Sequence, residues 1–580
     1  MMKWLAAVST LAMVAGCAIA PPVATVAAVV PAQIPAYDLL IKGGTIYDGS
    51  GSAPYVGDVG IRGDKIVYAG PSQEASAPRL VDARGLAVAP GFINMLSWSN
   101  ESLLVDPRGQ SELRQGITLE VMGEGWSMGP LNDEMKALSV KQQGDIKYPI
   151  QWTTLGDYLN FLERKGTSLN IASFVGATTV RQHELGERDV DPNPAQLDRM
   201  RALVRLAMEE GAMGVGSSLI YPPATFAETD ELVALVTEAG KCGGMYISHM
   251  RSEGDRLVES VDELIEISRR SGAPAEIYHL KQAGRANWGK LDQVIANVEA
   301  ARAAGLHITA DMYTYTAGGT GVAASMPPWV QDGGTAAMLK RLGDPATVAR
   351  IKREMLKPGS NWENLYYHAG PDGIRLASVA EPSLKPLIGK TIAEIAKLRR
   401  VAPEQAIIDL VREDQGRSGA IYFLMNEDNV RRQTSIPWVS FGSDAEASAP
   451  EGVFLKSSTH PRAYGNFARF LGKYVRDEKT TTLADAVRRL SALPAGNLGI
   501  RDRGRLASGM AADVVLFDPA TIADHATFDQ PMQYATGVRD VFVNGVQVLN
   551  AGEPTGATPG RFVKGPGWTG WPGGGGCAKR

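Results

Sequence analysis

Two of the seven histidines in this 580-residue chain stand at the ends of neighbouring apolar runs. His249 closes Tyr246-Ile247-Ser248-His249, and His279 closes Glu276-Ile277-Tyr278-His279. Their separation of 30 residues (279 − 249) is one strand-plus-helix unit, so in a barrel of such units both side chains reach the same C-terminal rim. Two neutral imidazoles there can share one metal ion. An acidic group, Asp444, follows a further apolar run in Phe441-Gly442-Ser443-Asp444-Ala445. Alone, an aspartate after a strand reads as a turn or helix cap. Beside a metal it can take the proton of a metal-bound water during attack on a carbonyl and deliver it to the leaving amine.

The elements that must position these groups alternate β-branched or aromatic runs with amphipathic stretches. Strand candidates are Asn170 to Val175, Gly214 to Ile220, Gly244 to Ser248, Ala275 to Tyr278, His307 to Met312 and Trp438 to Phe441. Between them Glu228 to Ala239, Leu257 to Arg270 and Leu291 to Ala304 carry helical spacing. Serial βα units of this length predict an α/β fold, a (β/α)8 TIM-like barrel over residues 91–495. Residues 317–437 exceed an ordinary loop and read as an insertion on the catalytic face, a lid, with a separate small domain as the alternative. Short β segments separated by glycine turns flank the barrel at 37–90 and 496–562, and residues 563–580 form a Gly-rich tail.

The N-terminus reads as an export signal over residues 1–17: Lys3 precedes an apolar run from Trp4 to Val14 that is too short for a permanent span. Val14-Ala15-Gly16-Cys17 resembles a bacterial lipobox, which implies a lipidated Cys17 and attachment to the membrane; ordinary cleavage near Ala20 is the alternative. Both predict an exported, periplasmic protein, with residues 18–36 as a Pro/Ala-rich tether. The remaining cysteines, Cys242 in a folded segment and Cys577 in the tail, predict no disulfide framework. A formal net charge of −4 leaves no global basic field for nucleic acid.

The flanks and the histidine motifs together carry a resemblance. Val88-Ala89-Pro90-Gly91-Phe92-Ile93-Asn94 and Gly504-Arg505-Leu506-Ala507-Ser508-Gly509-Met510-Ala511-Ala512-Asp513 resemble the two ends of an amidohydrolase-superfamily barrel. Ile220-Tyr221-Pro222-Pro223, Ser248-His249-Met250-Arg251-Ser252-Glu253-Gly254, the stretch from His279 to Gly289, and His460-Pro461-Arg462 resemble the N-acyl-D-amino-acid deacylases, the D-aminoacylases. The resemblance implies a metallo-barrel flanked by a β-sandwich made from both chain ends. It implies that His249 and His279 ligate metal and that Asp444 is the general acid/base. Tyr221, Lys281 and Arg462 would face the substrate, with His460 lining the same pocket.

The chain departs from that family at two places. Where relatives carry His-x-His after the first strand it has Leu96-Ser97-Trp98, and where D-aminoacylases offer a cysteine after the second it has Met122-Gly123-Glu124-Gly125-Trp126. With no lysine closing Gly216-Ser217-Ser218-Leu219, a two-metal site is not expected. The expectation is one divalent ion held by Glu124, His249 and His279; zinc suits such a nitrogen-and-oxygen site, with manganese and iron also compatible with the ligand types. Glu124 in an exposed turn is the alternative, and Asp444 would then be the third ligand. The function expected is hydrolysis of the linear amide of an N-acyl-(D-)amino acid. A dipeptidase with the same machinery, or a metal-free barrel that binds acylated peptides without cleaving them, remains open.

Overall fold

The computed structural model describes residues 36–358 and 361–579, with Ser9 and Leu11. The export signal, Cys17 and the tether as far as residue 35 fall outside the described residues, Ser9 and Leu11 apart. Eight strands close a parallel barrel: β1 (Phe92–Asn94), β2 (Ile117–Met122), β3 (Asn170–Ser173, continued by Val175–Gly176), β4 (Gly214–Ser218), β5 (Met245–His249), β6 (Ala275–Ile277), β7 (Ile308–Met312) and β8 (Val439–Phe441). The ring shuts where the Met95 N–H donates to Phe441 O at 3.1 Å and Ser97 bridges Ala445 in parallel register. Both faces of the strands are covered, so strands such as β2 and β5 are buried along their whole length, polar residues included.

Two layers of packing follow from the strand period of two. Residues such as Ile93, Leu119, Val121, Phe174, Met245, Ile247 and Tyr278 fill the barrel interior. Their neighbours, among them Met122, Val215, Tyr246, Ile277 and Phe441, pack outward against the helices. The helix candidates form as Thr229–Lys241, Leu257–Ser271 and Leu291–Ala303.

Strands from both chain ends join in one nine-stranded sheet, the flanking β-sandwich, because Val514–Phe517 pairs antiparallel with Ala87–Pro90. Its core is Leu39, Ile41, Val59, Ile61, Val514, Leu516 and Phe542. The insertion builds a three-stranded antiparallel sheet (Gly318–Gly321, Gly419–Tyr422 and Ile374–Ser378) with helices and a hydrophobic core of its own.

The C-terminal segment corrects one expectation. Cys242 and Cys577 form a disulfide across 335 residues of sequence. The Gly-rich segment is also packed: Val563 joins the barrel-interior cluster, Gly565 N–H donates to Gly211 O at 2.8 Å, and Arg205 Nη2 donates to Cys577 O at 3.1 Å. Its glycines permit this closeness, since a Cβ on Gly576 would come 2.0 Å from Cys242 O.

Candidate metal centre

Each candidate metal ligand arrives at or just beyond the C-terminal end of a barrel strand. His249 is the last residue of β5 and continues the inward series of Met245 and Ile247. His279 lies two residues beyond β6, where strict alternation would send it outward. A left-handed backbone (φ 34°) turns it back, so that its ring centroid lies 4.6 Å from that of His249. The His279 N–H donates to Asp311 Oδ1 at 2.9 Å and anchors that turn.

Glu124 follows β2 between two glycines of positive φ, 105° at Gly123 and 69° at Gly125. A Cβ on Gly123 would lie 2.4 Å from Phe174 O, and one on Gly125 would lie 2.3 Å from Ser218 Oγ, so both positions demand glycine. The turn is not exposed: Glu124 retains 3% of its accessible surface.

Three donors therefore converge. Glu124 Oε1 lies 3.1 Å from His249 Nδ1 and 2.9 Å from His279 Nε2, and the donor atoms of the three residues all lie within 4.8 Å of one another. His249 Nε2 is buried, lies 3.5 Å from Glu253 Oε2 and makes no hydrogen bond among the described residues. Two imidazole nitrogens and a carboxylate oxygen, all buried, suit a divalent cation of zinc type with an open position.

Glu253 supports this set from behind. Its Oε1 lies 3.0 Å from His279 Nδ1 and accepts from Lys281 Nζ at 2.7 Å, the outer carboxylate that fixes how an imidazole presents its other nitrogen. Lys281 Nζ is also 2.6 Å from His279 Nδ1. Burial disfavours charge on Glu124 and Glu253, yet His279 and His249 around the first, and His249 and Lys281 around the second, hold both carboxyls well below the usual range. For His279, burial and Lys281 oppose protonation, but Glu253 and Glu124 raise its pKa well above the ordinary imidazole value.

Asp444 stands outside the three-donor group and faces the same cavity. Its backbone is left-handed (φ 50°), Oδ2 lies 2.7 Å from Arg462 Nη1, and Oδ1 accepts from Trp98 Nε1 at 3.0 Å. Burial raises its pKa, with Arg462 opposing. Arg462 and Lys281 flank the Tyr313 ring, 4.5 and 5.5 Å from its centroid. Tyr221 meets His249 edge to face at 5.2 Å, and burial keeps its phenol protonated by raising its pKa.

The cavity encloses about 960 Å³, and the insertion supplies part of its wall through Thr320, Glu363 and Tyr422. His460 does not line it. That ring stands behind, with Nδ1 accepting from Arg462 N–H at 3.1 Å and Nε2 lying 2.9 Å from Ala317 O; burial lowers its pKa and keeps it neutral. Sequence alone points to no role for Glu253, Asp311, Tyr313 or Glu363. Glu253 was within reach, four residues past His249, and Asp311 and Tyr313 sit at the end of an expected strand.

Residues 79–549 match the amidohydrolase family. The chain belongs to that family. Over 530 residues this amidohydrolase is 32% identical to N-acyl-D-glutamate deacylase of Alcaligenes xylosoxydans xylosoxydans, covering 91% of the chain and 96% of the relative. It is also 32% identical to D-aminoacylase of the same organism over 531 residues, with 91% and 97% covered. Among solved structures, N-acyl-D-glutamate deacylase from Bordetella bronchiseptica complexed with zinc and a phosphonate mimic of the tetrahedral intermediate superposes with a TM-score of 0.74 at 29% identity, over 91% of this chain and 99% of that one. A D-aminoacylase with a binuclear metal centre, described as activated by one metal and attenuated by a second, gives 0.74 at 30% identity over 91% and 100%.

Proposed function

We propose that this amidohydrolase deacylates N-acyl-D-amino acids with one divalent cation, zinc by ligand chemistry, held by Glu124, His249 and His279. The observation that carries this reading is the convergence of those three donors in the cavity that Asp444, Arg462 and Lys281 also line. The relatives' activities support the substrate class. A cation bound there supplies a Lewis acid that polarises the scissile carbonyl and acidifies water.

The chain's own residues do the rest. Asp444, within the same cavity and raised in pKa, takes the proton of the attacking water and passes it to the leaving nitrogen. Arg462 and Lys281 offer cationic donors to the free carboxylate of the substrate, and the Tyr221 phenol offers a neutral donor beside His249. Glu253 keeps His279 oriented throughout.

The test is metal analysis of purified protein beside turnover of N-acyl-D-amino acids, N-acyl-L-amino acids and dipeptides, with and without chelator. Stoichiometric zinc and chelator-sensitive release of the D-amino acid are expected. Turnover that survives metal removal sinks the proposal, and cleavage of dipeptides alone replaces it with a peptidase. Asp444→Asn is expected to retain metal while losing about 10²- to 10⁴-fold in kcat. His279→Ala is expected to lose both.

Export is part of the same proposal. The apolar N-terminal run and lipobox-like Cys17 support it, and so does the Cys242–Cys577 disulfide, a bond that persists in oxidising compartments. Full-length protein should fractionate with membranes and Cys17→Ser should not; equal partition of the two rules out the lipid anchor.

A further inference from the structure

Trp98 occupies a position of mechanistic consequence. Beyond β1 the chain runs along the end of β8: Asp444 N–H donates to Leu96 O and Trp98 N–H donates to Ala445 O, each at 2.9 Å. This pairing fixes the Trp98 and Asp444 backbones side by side. The indole lines the catalytic cavity and its Nε1 donates to Asp444 Oδ1 at 3.0 Å, while Arg462 holds Oδ2. Leu96, two residues earlier, is fully buried in the barrel interior with Met95, Val121 and Phe174.

An indole N–H donates only; it offers no lone pair to a metal and is far too weak an acid to give up its proton near neutral pH. A carboxylate oxygen already engaged by such a donor is directed by it. Neither Leu96 nor Trp98 can ligate a cation on that side of Asp444, and the indole stands beside the carboxylate on the cavity wall.

We propose that Trp98 is a positioning residue that aims Asp444 at the reacting atoms and closes the amidohydrolase site to a second metal ion. The site is thereby mononuclear by construction and escapes the second-metal attenuation described for the binuclear D-aminoacylase. The inference rests on the one-ion reading above, and its failure looks different. Failure of that reading appears as protein that binds no zinc, whereas failure of this one appears as protein that binds two ions or is indifferent to loss of the indole N–H.

The experiment titrates metal-stripped full-length protein with zinc by calorimetry and elemental analysis, then assays it in excess zinc. Wild type should saturate at one equivalent, with turnover flat as zinc rises further. Trp98→Phe, which keeps a ring but removes the donor, should still bind one equivalent and keep KM within about threefold while kcat falls roughly 10- to 100-fold, the cost of a misaimed catalytic group. Trp98→Phe protein that melts like wild type yet has unchanged kcat overturns the positioning role. A second tight equivalent in wild type overturns the exclusion, and that measurement needs no variant.

Discussion

At the scale of single residues, the site depends on backbone conformations that most side chains avoid. Glu124 reaches the histidines because Gly123 and Gly125 bend the chain where a Cβ would collide with Phe174 O and Ser218 Oγ. Gly123→Ala is therefore expected to displace Glu124 and abolish tight zinc binding, checked by elemental analysis after gel filtration. Glu253→Gln leaves all three ligands but weakens the brace on His279, and zinc affinity measured by chelator competition should fall about 10- to 100-fold. An unchanged affinity would show that Glu253 has no hold on the imidazole. His249 and His279 were legible because strand endings one βα unit apart meet at one rim. Glu253 gives no separate signal in the sequence, because it lies inside the same motif as His249. Trp98 was legible as the loss of a ligand, whereas its bond to Asp444 joins residues 346 apart and leaves no local trace.

At the scale of elements, β6 places an acid inside the barrel. Glu276 is fully buried and accepts from Thr309 Oγ1, Asn497 Nδ2 and Ser440 Oγ at 2.6, 2.8 and 3.2 Å, with burial raising its pKa to about 7. The folded pKa lies above the usual carboxylate value, so the folded state binds the extra proton. That contribution to stability is complete below about pH 4.5 and is lost as pH rises through 7. Glu276→Gln should accordingly melt with wild type at pH 4.5 and above it at pH 8, by calorimetry at both pH values. A gain of equal size at both would refute the titration. The strands were legible as apolar runs, but β6 ends at Ile277 rather than Tyr278 because the turn at His279 breaks the ladder early. The insertion was visible only as excess length, since the pairing of Gly318–Gly321 with Gly419–Tyr422 crosses about a hundred residues.

At the scale of the whole molecule, the barrel and sandwich were legible because βα alternation and terminal β clusters are local patterns. The packing of the last residues was not, because glycines that look like a loose end permit close contact, and two cysteines far apart in sequence give no pairing signal. Cys577→Ser should lower stability by about 2–4 kcal/mol, and reductant should lower the melting temperature of wild type but not of the variant. Zinc content should be unchanged, since Cys242 and Cys577 lie outside the metal centre; loss of metal would contradict that separation. The sandwich itself sets an order of events. Ala87–Pro90 is bordered on one side by Leu39–Ile46 and on the other by Val514–Phe517, made only after the entire barrel has been synthesised. A nascent polypeptide thus carries an unpaired strand edge through most of its own translation, and whatever shields that edge against aggregation governs how much native protein each round of synthesis yields.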